Sequence, residues 1–583
     1  MELSSLGWGL PDRCQKAAFG QILFYMVALS FAATSARAEE PLPVMIDRLV
    51  ALQTADYDKL AAPVCSDEEF LRRIFLDLTG SIPTAVDARQ FLADAKPKKR
   101  EHLIDKLLAS PEYARHMQRV FDVMLMRRLP QKHVPLAEWE QFLRDSFAQN
   151  RSWDQIVRDI LTADGSDPAH RGPARFYLDR EGDVNEITRD IGKLFLGANL
   201  ECAQCHNHPQ VEDFKQQHYY GISAFFIRSF VMTDKDKHVI FAEKADGETK
   251  FESVFEIRDK LSKGPRTTGP KLFDGMSISE PKFEKLEDAY TVKPDDKDKT
   301  IRPVPRFSRR VKFAEFIAST DNRRFCRTTA NRLWALMVGR GIVHPVELDH
   351  SENPPSHSLL LAMLTEVLAE RRLDIKLFLR EIALSNTYQR SSRRDEASLA
   401  PTQTAEHSQP AGSASSSDAQ FAQALLKPLS PAQFAWSVMQ ATGETDVHRL
   451  ALGENFSESA LHEKLVGYEQ RFVQLFGGEP GHPRENFEST TDQVLFLAND
   501  PAIIGFLARK PGNLTDRLLK LPEDNLQAIA EELFLSTLTR RPNADDLQDV
   551  SGFLAGQTGE GRVAAVQELI WATISSSEFR FNH

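Results

Sequence analysis

Helix-start signals recur along most of this chain, and they restrict it to a mainly α fold. Ser66 and Glu69 have the spacing of a capping box, in which each side chain binds the other residue's backbone amide. Apolar residues then recur at helical spacing over 70–78, and Gly80 predicts the end of that helix. A Ser-Pro-Glu sequence at 110–112 places proline at the first position of another helix. We therefore expect multi-helix domains over most of the chain.

Two segments interrupt the helical pattern. Residues 238–241 and 251–257 are rich in β-branched and aromatic residues, and Gly-Pro turns follow them. We therefore expect a small β-containing insert at 235–305. Residues 391–423 are dominated by Ser, Ala, Gln, Asp and Glu, which is typical of a flexible linker. These breaks predict an N-terminal helical domain at 39–234 and a second helical domain in two parts, 306–390 and 424–583.

Composition limits the partners of the protein. The 583 residues carry a formal net charge of -11, which argues against a nucleic-acid partner because such binding needs a basic face. Five cysteines in so long a chain exclude a disulfide-dense scaffold.

The amino terminus has the three parts of a secretory signal. Arg13 and Lys16 precede an apolar stretch at 17–33, and Ala-Arg-Ala at 36–38 offers a cleavage site. We expect residues 1–38 to be a signal peptide and the mature chain to begin at Glu39, in a periplasmic, cell-surface or secreted protein. An uncleaved membrane anchor is the alternative. No later stretch is long and apolar enough to span a bilayer, so we expect no membrane span in the mature chain.

The one cofactor motif is Cys202-Ala203-Gln204-Cys205-His206, the attachment sequence of c-type haem. The two thiols of such a motif add to the haem vinyl groups, and the histidine is the proximal ligand of the iron. One helical turn places both sulfurs and the imidazole on the same side of the macrocycle. The predicted cofactor is therefore haem c, held by Cys202, Cys205 and His206.

Other chemistry is compatible with the same residues. Cys202 and Cys205 could form a disulfide in an oxidising compartment. Together with His206 and His208 they could bind zinc, although such tight bunching strains a tetrahedral site. Cys65 and Cys326 are predicted to be buried thiols, with a long-range bridge as the alternative.

The surroundings of the motif predict more about a haem site. His218 and Met232 are weak candidates for the second axial ligand. We expect the motif to open a helix, in a pocket walled by nearby aromatic residues, which are Phe195, Phe214, Tyr219, Tyr220, Phe225 and Phe226. The alternative is that these aromatic residues fill the helical core.

Several sequence blocks resemble a known pair of domains. Phe-Leu-Arg-Arg-Ile-Phe-Leu-Asp-Leu-Thr-Gly at 70–80, and the cysteine motif within 196–209, resemble the planctomycete cytochrome C type domain, also called domain of unknown function fifteen-forty-nine. Asn-Arg-Leu-Trp at 331–334 and Asn-Pro-Pro-Ser-His at 353–357 are similar to its usual partner, domain of unknown function fifteen-fifty-three. The resemblance implies a large exported planctomycete protein, and it implies no known reaction.

Three function classes follow from the sequence. The first is an exported c-type haem protein that transfers electrons to an unknown redox partner or performs haem-based redox chemistry. The alternative is a non-redox binding protein for another exported protein or a polysaccharide, with the motif as a zinc clip or disulfide. A hydrolase is third, with catalytic residues unknown, since no nucleophile elbow, phosphate loop or paired-carboxylate signature is present. Elsewhere we expect Asp77 to pair with Arg72 or Arg73, and Asn331 to be a buried polar staple.

Overall fold

The structure is a computed structural model that describes residues 40–273, 275–393, 418–479, 482–483 and 490–583. The expected signal peptide at 1–38 and the expected new terminus at Glu39 lie outside the described residues, as does most of the expected linker, at 394–417. Within the described part, no helix is long and apolar enough to cross a membrane.

The amino-terminal part of the chain is helical. Its helices are α1 (Leu42–Gln53), α2 (Tyr57–Leu60), α3 (Asp67–Thr79), α4 (Ala85–Ala93), α5 (Lys99–Leu108), α6 (Pro111–Met126), α7 (Leu136–Ala148), α8 (Trp153–Thr162), α9 (Arg175–Leu178), α10 (Val184–Leu196) and α11 (Gln216–Ser223). Short 3-10 turns lie at Pro168–His170, Gly172–Ala174 and Cys202–Gln204.

The predicted ends of α3 and the start of α6 are confirmed. The Ser66 side chain accepts a hydrogen bond from the Glu69 amide, and Gly80 ends α3 with a φ of 73°. The Ser110 side chain caps α6 in the same way. The Glu69 side chain does not complete the capping box, since it forms an ion pair with Arg73 at 2.6 Å.

The insert contains short antiparallel pairs. β1 (Ser229–Thr233) pairs with β2 (Val239–Glu243), β3 (Thr249–Phe251) with β4 (Arg266–Thr268), and β5 (Tyr290–Val292) with β6 (Val304–Pro305). The alternating pattern at 251–257 predicted a strand, but its residues from 254 onward lie in a short helix, α12 (Val254–Arg258). A 3-10 turn follows at Leu286–Ala289. An alternating pattern this short does not by itself distinguish a strand from a helix.

Helices dominate the rest of the chain, so the prediction of a mainly α fold with a small β-containing insert is confirmed. The first group is α13 (Arg309–Ile317), α14 (Arg323–Val338), α15 (Ser358–Glu370), α16 (Ile375–Leu384) and α17 (Asn386–Gln389). The second group is α18 (Pro431–Thr442), α19 (Glu444–Leu452), α20 (Glu458–Phe476), α21 (Thr491–Asn499), α22 (Pro501–Leu507), α23 (Leu514–Lys520), α24 (Leu526–Thr537), α25 (Ala544–Leu554), α26 (Gly559–Ser575) and α27 (Ser577–Arg580).

Short elements complete this second half. Additional 3-10 turns lie at Asp418–Gln420 and Gly453–Asn455. β7 (Lys427–Pro428) pairs with β10 (Phe581–Asn582), and β8 (Gly478–Glu479) pairs with β9 (His482–Pro483). The β7–β10 pair ties the last residues of the chain to the segment that leads into α18.

Two hydrophobic cores meet along α3. The larger core is built from the helices of the first two thirds of the chain and includes Leu71 and Ile74 of α3. The smaller core is built from α18 to α27 and includes Leu76 of the same helix. The larger core also takes in Phe421, near the end of the expected linker, whose ring centroid lies 5.2 Å from that of Trp334. Residues 421–422 are therefore packed rather than solvated.

Asp77 of α3 lies at the junction of the two cores, and its partner is not the expected one. Its carboxylate accepts a hydrogen bond from Lys427 Nζ at 2.6 Å, from Tyr388 Oη at 2.9 Å and from Asn582 Nδ2 at 2.7 Å. The expected pairing with Arg72 or Arg73 is wrong, because Arg73 binds Glu69 and Arg72 donates to the carbonyls of Thr537 and Phe579.

The expected staple at Asn331 is confirmed. Its Nδ2 donates to the Val343 carbonyl at 2.8 Å, and its Oδ1 accepts from the Val343 amide at 3.0 Å. This buried side chain fastens α14 to the loop that follows it.

Candidate functional site

The cysteine motif forms one tight turn in the loop between α10 and α11. The amides of Cys205 and His206 both donate to the Cys202 carbonyl, each at 3.2 Å. The turn is of the 3-10 type and does not open an α-helix, contrary to expectation, because Pro209 lacks an amide donor and disfavours helical geometry in the residue before it. The three motif residues thus follow one another along a 3-10 turn, and whether their side chains hold a common group stays a prediction.

Both motif thiols are exposed. Cys202 and Cys205 are free, and the described cysteines form neither a Cys202–Cys205 disulfide nor a Cys65–Cys326 bridge. Cys65 and Cys326 are buried, as predicted, and burial raises the pKa of the Cys326 thiol to about 11. The two pairs of cysteines therefore differ in reactivity, since only the motif pair is open to a reagent from solvent.

The imidazole of His206 is held in one orientation. Its Nδ1 lies 2.7 Å from the Asn207 carbonyl, which can only accept, so Nδ1 carries a proton, and the tautomer that this contact selects has its lone pair on Nε2. The ring stacks on Phe255 of α12, with centroids 4.3 Å apart and an interplanar angle of 23°. A carbonyl on one ring nitrogen and a free second nitrogen is the arrangement of a metal-ligating histidine.

Neighbouring elements anchor the turn from both sides. The Cys205 carbonyl accepts the Val254 amide of α12 at 3.0 Å. The Gln204 carbonyl accepts from Tyr220 Oη at 3.0 Å, and the Gln204 side chain accepts from Arg189 at 2.9 Å. The motif is therefore fixed between the insert and the helices α10 and α11.

An exposed apolar surface adjoins the motif. It consists of Val254, Phe255 and Ile257 of α12 with Leu261 just beyond, and these side chains are 44%, 43%, 53% and 71% exposed. Four large apolar side chains within eight residues, one of them stacked on His206, form a patch of the kind that marks a ligand or partner site. The alternating pattern at 251–257 could have drawn attention to this segment, but it indicated a strand rather than an exposed helix.

The expected aromatic wall does not line an open pocket. Phe195, Phe214, Tyr219, Phe225 and Phe226 are buried, and for example Phe225 and Phe226 each lie 5.0 Å from Phe313 between ring centroids. They fill the helical core, which was the alternative. Tyr220 contacts the motif through its hydroxyl, which donates to the Gln204 carbonyl. Its ring stacks on Phe251 of the insert.

The four expected zinc ligands do not form a cluster. His208 turns its Nδ1 toward the amides of Gln210 and Val211, at 3.2 and 3.0 Å. Among the described residues there is no group of three or more His, Cys, Asp and Glu side chains that could hold a metal ion. His218 lies in α11 with its ring against Phe273, and Met232 lies in β1 opposite Ile240.

Two family models match the chain. One, described as a protein of unknown function (DUF1549), matches residues 45–229, and the other, described as a protein of unknown function (DUF1553), matches residues 309–414. The chain pairs these two domains. The first contains the whole cysteine motif, and the pairing is the one that the sequence resemblance predicted. No curated protein and no solved structure matches the chain significantly.

Proposed function

We propose that this protein carries a covalently attached c-type haem, with Cys202 and Cys205 as the attachment residues and His206 as the proximal ligand. The observation that carries the proposal is the turn at 202–206, which contains two exposed free thiols and an imidazole whose Nδ1 is held by the Asn207 carbonyl. The donor set fits the group, since c-type attachment needs two accessible thiols and one neutral imidazole in a single turn.

Residues around the motif support it in three ways in this proposal. The Asn207 carbonyl holds the proton on Nδ1 of His206 and so keeps Nε2 available to a metal. Phe255, stacked on the imidazole, restricts its rotation and excludes water from one face. The exposed apolar side chains of α12 provide a surface that a flat apolar ligand would cover.

The chemistry of the group is one-electron redox chemistry, with a potential set by the second ligand, burial and hydrogen bonds. Because the motif lies at the surface, an electron-transfer partner could approach it directly. The proposal includes export through the leader at 1–38, since covalent haem attachment takes place outside the bacterial cytoplasm.

The test is expression of the full chain together with a cytochrome c maturation system. We expect a red protein whose haem stays attached through denaturing electrophoresis. Cys202→Ser/Cys205→Ser should lose that signal, because both bonds form at these sulfurs. Cys326→Ala, which removes a buried thiol far from the motif in sequence, is the matched control and should keep it.

Two further variants separate iron ligation from zinc binding. His206→Asn should retain some covalent haem while changing the absorption spectrum, since it removes the ligand and leaves both thiols. His208→Asn should change neither. A colourless wild type under these conditions, with one zinc per chain that His208→Asn removes, would overturn the haem proposal and support the zinc clip.

A further inference from the structure

A large cavity lies between the two hydrophobic cores, away from the cysteine motif. Its volume is about 1140 Å³, and it is lined on one side by α6 and α7 and on the other by α18 and α20, with the β7–β10 pair at its edge. Small-molecule sites occur preferentially at such junctions and have volumes of about 300–1,000 Å³. The cavity is therefore large enough for a ligand of several rings.

Most of the charged groups that line it are already paired. Asp77 binds Lys427 at 2.6 Å, Arg175 binds Asp122 at 3.2 Å, and Arg119 binds Glu469. Burial raises the pKa of Glu140, another lining residue, and so favours its neutral form. These groups contribute little net charge to the cavity.

Arg128 is a cation of the cavity wall that forms no close ion pair among the described residues; the anion whose charge acts on it, Asp122, is bound by Arg175. Its Nε and Nη1 are buried and have no hydrogen-bond partner among the described residues. The guanidinium lies against Gly477, where a Cβ would come within 1.6 Å of Nη1, so a larger residue at 477 would displace the guanidinium from this position. Arg340 also lines the cavity and has no ion pair in the described structure. A guanidinium with two buried nitrogens that form no hydrogen bond favours an added acceptor, and an oxyanion is the best one.

Two buried acceptors line the same cavity and lack donors. His116 is 5% exposed, and burial together with the charges of Arg119 and Arg115 lowers its pKa to about 3. The imidazole of His116 forms one hydrogen bond, to the backbone of Asp77. Its Nε2 is buried and has no hydrogen-bond partner in the described part of the chain. Asn582 is 2% exposed, and its Oδ1 is likewise buried and unpartnered, because Nδ2 faces Asp77.

We propose that this cavity binds a hydroxylated organic anion, of which a uronic-acid oligosaccharide is the representative class. The carboxylate would accept from the Arg128 guanidinium. Rotation of the His116 and Asn582 side chains toward the cavity would uncover Nε2 and Oδ1, to which sugar hydroxyls would then donate. A neutral imidazole can accept a hydrogen bond from a hydroxyl group, whereas an imidazolium cannot. Apolar lining residues such as Leu129, Leu336 and Phe434 suit the carbon faces of sugar rings. This site is independent of the haem proposal.

The test is isothermal titration calorimetry on the full mature chain with three probes. Trigalacturonate has carboxylates and hydroxyls, maltotriose has hydroxyls only, and propane-1,2,3-tricarboxylate has carboxylates only. We expect trigalacturonate to bind at least about tenfold more tightly than either of the others, because both kinds of contact are needed to satisfy Arg128 and the two acceptors. Equal binding of trigalacturonate and maltotriose, or no binding of any probe, would overturn the proposal.

Two variants locate the site. Arg128→Gln should weaken trigalacturonate binding by about tenfold or more, since it removes a charge-assisted hydrogen bond. Arg371→Gln, the control, makes the same charge change at an exposed position and should leave the affinity unchanged. His116→Phe keeps a planar ring, removes the acceptor, and should weaken trigalacturonate but not tricarboxylate. Thermal unfolding of each variant shows that it is folded. Unchanged affinity in folded Arg128→Gln would contradict the assignment.

Discussion

The cysteine motif and the cavity are opposite kinds of site. The motif is five consecutive residues at the surface, with two exposed thiols and an imidazole whose orientation is set by the adjacent residue. The cavity is built from residues as far apart as Asp77 and Asn582, which lie within hydrogen-bond distance in the fold. The motif is formed by residues that are neighbours in the chain, whereas the cavity forms only where the two hydrophobic cores meet.

The difference has consequences for stability. Groups exposed at a surface turn keep their hydration and contribute little to the free energy of unfolding. Charged groups enclosed between two cores lose hydration, so each depends on its partner. The cavity wall should therefore respond strongly to substitution, and the motif weakly.

The largest expected effect is at Lys427. Its ammonium binds Asp77 and the carbonyl of Met337 in the last turn of α14, at 2.7 Å. Lys427→Met leaves the Asp77 carboxylate buried without its counter-charge, so we expect a loss of about 3–5 kcal/mol in the free energy of unfolding, measured by urea denaturation. The double variant Asp77→Asn/Lys427→Met should lose less than the sum of the two single variants. Additive losses would show that the pair is not coupled.

An intermediate effect is expected from pH. Burial and neighbouring arginines lower the pKa of His116 to about 3, below the value of an unfolded chain, so its contribution to stability is complete above about pH 6.5 and is lost as the pH falls toward 3. Between pH 7 and 5.5 this one group should cost about 1 kcal/mol.

Comparison with His116→Phe isolates this effect. The variant should lose less stability than the wild type over that pH range, by the same amount of about 1 kcal/mol, because it has nothing to protonate. Burial also lowers the pKa of His462, another residue of the cavity wall, to about 4, so acid sensitivity should persist in part. Parallel pH curves for wild type and variant would show that His116 is not buried in its neutral form.

The smallest effect should come from the motif itself. In protein without bound cofactor, Cys202→Ser/Cys205→Ser should change the free energy of unfolding by less than about 0.5 kcal/mol, because both side chains are exposed. Urea denaturation measures this, with Lys427→Met as the reference for a large loss. An average substitution costs about 1 kcal/mol. A loss of about 2 kcal/mol or more would therefore show that the thiols support the fold.

Much of the helical framework was readable in the sequence. Ser66 and Ser110 cap their helices through the amide three residues on, and Gly80 ends α3, because these interactions involve neighbours in the chain. Asn331 met its expected role for a similar reason, since its partner Val343 is only twelve residues away. The prediction of a strand at 251–257 failed in part, because the residues from 254 onward lie in the helix α12.

The sequence by itself determined the presence of the motif, its spacing and the mainly α class, because each depends on residues within one or two helical turns. Tertiary structure alone decided that Asp77 pairs with Lys427 across 350 positions, that burial lowers the pKa of His116, and that Arg128 lines a cavity without forming a close ion pair among the described residues. Charge partners and protonation states depend on desolvation and on distances in space, and neither is encoded in the spacing of residues along the chain.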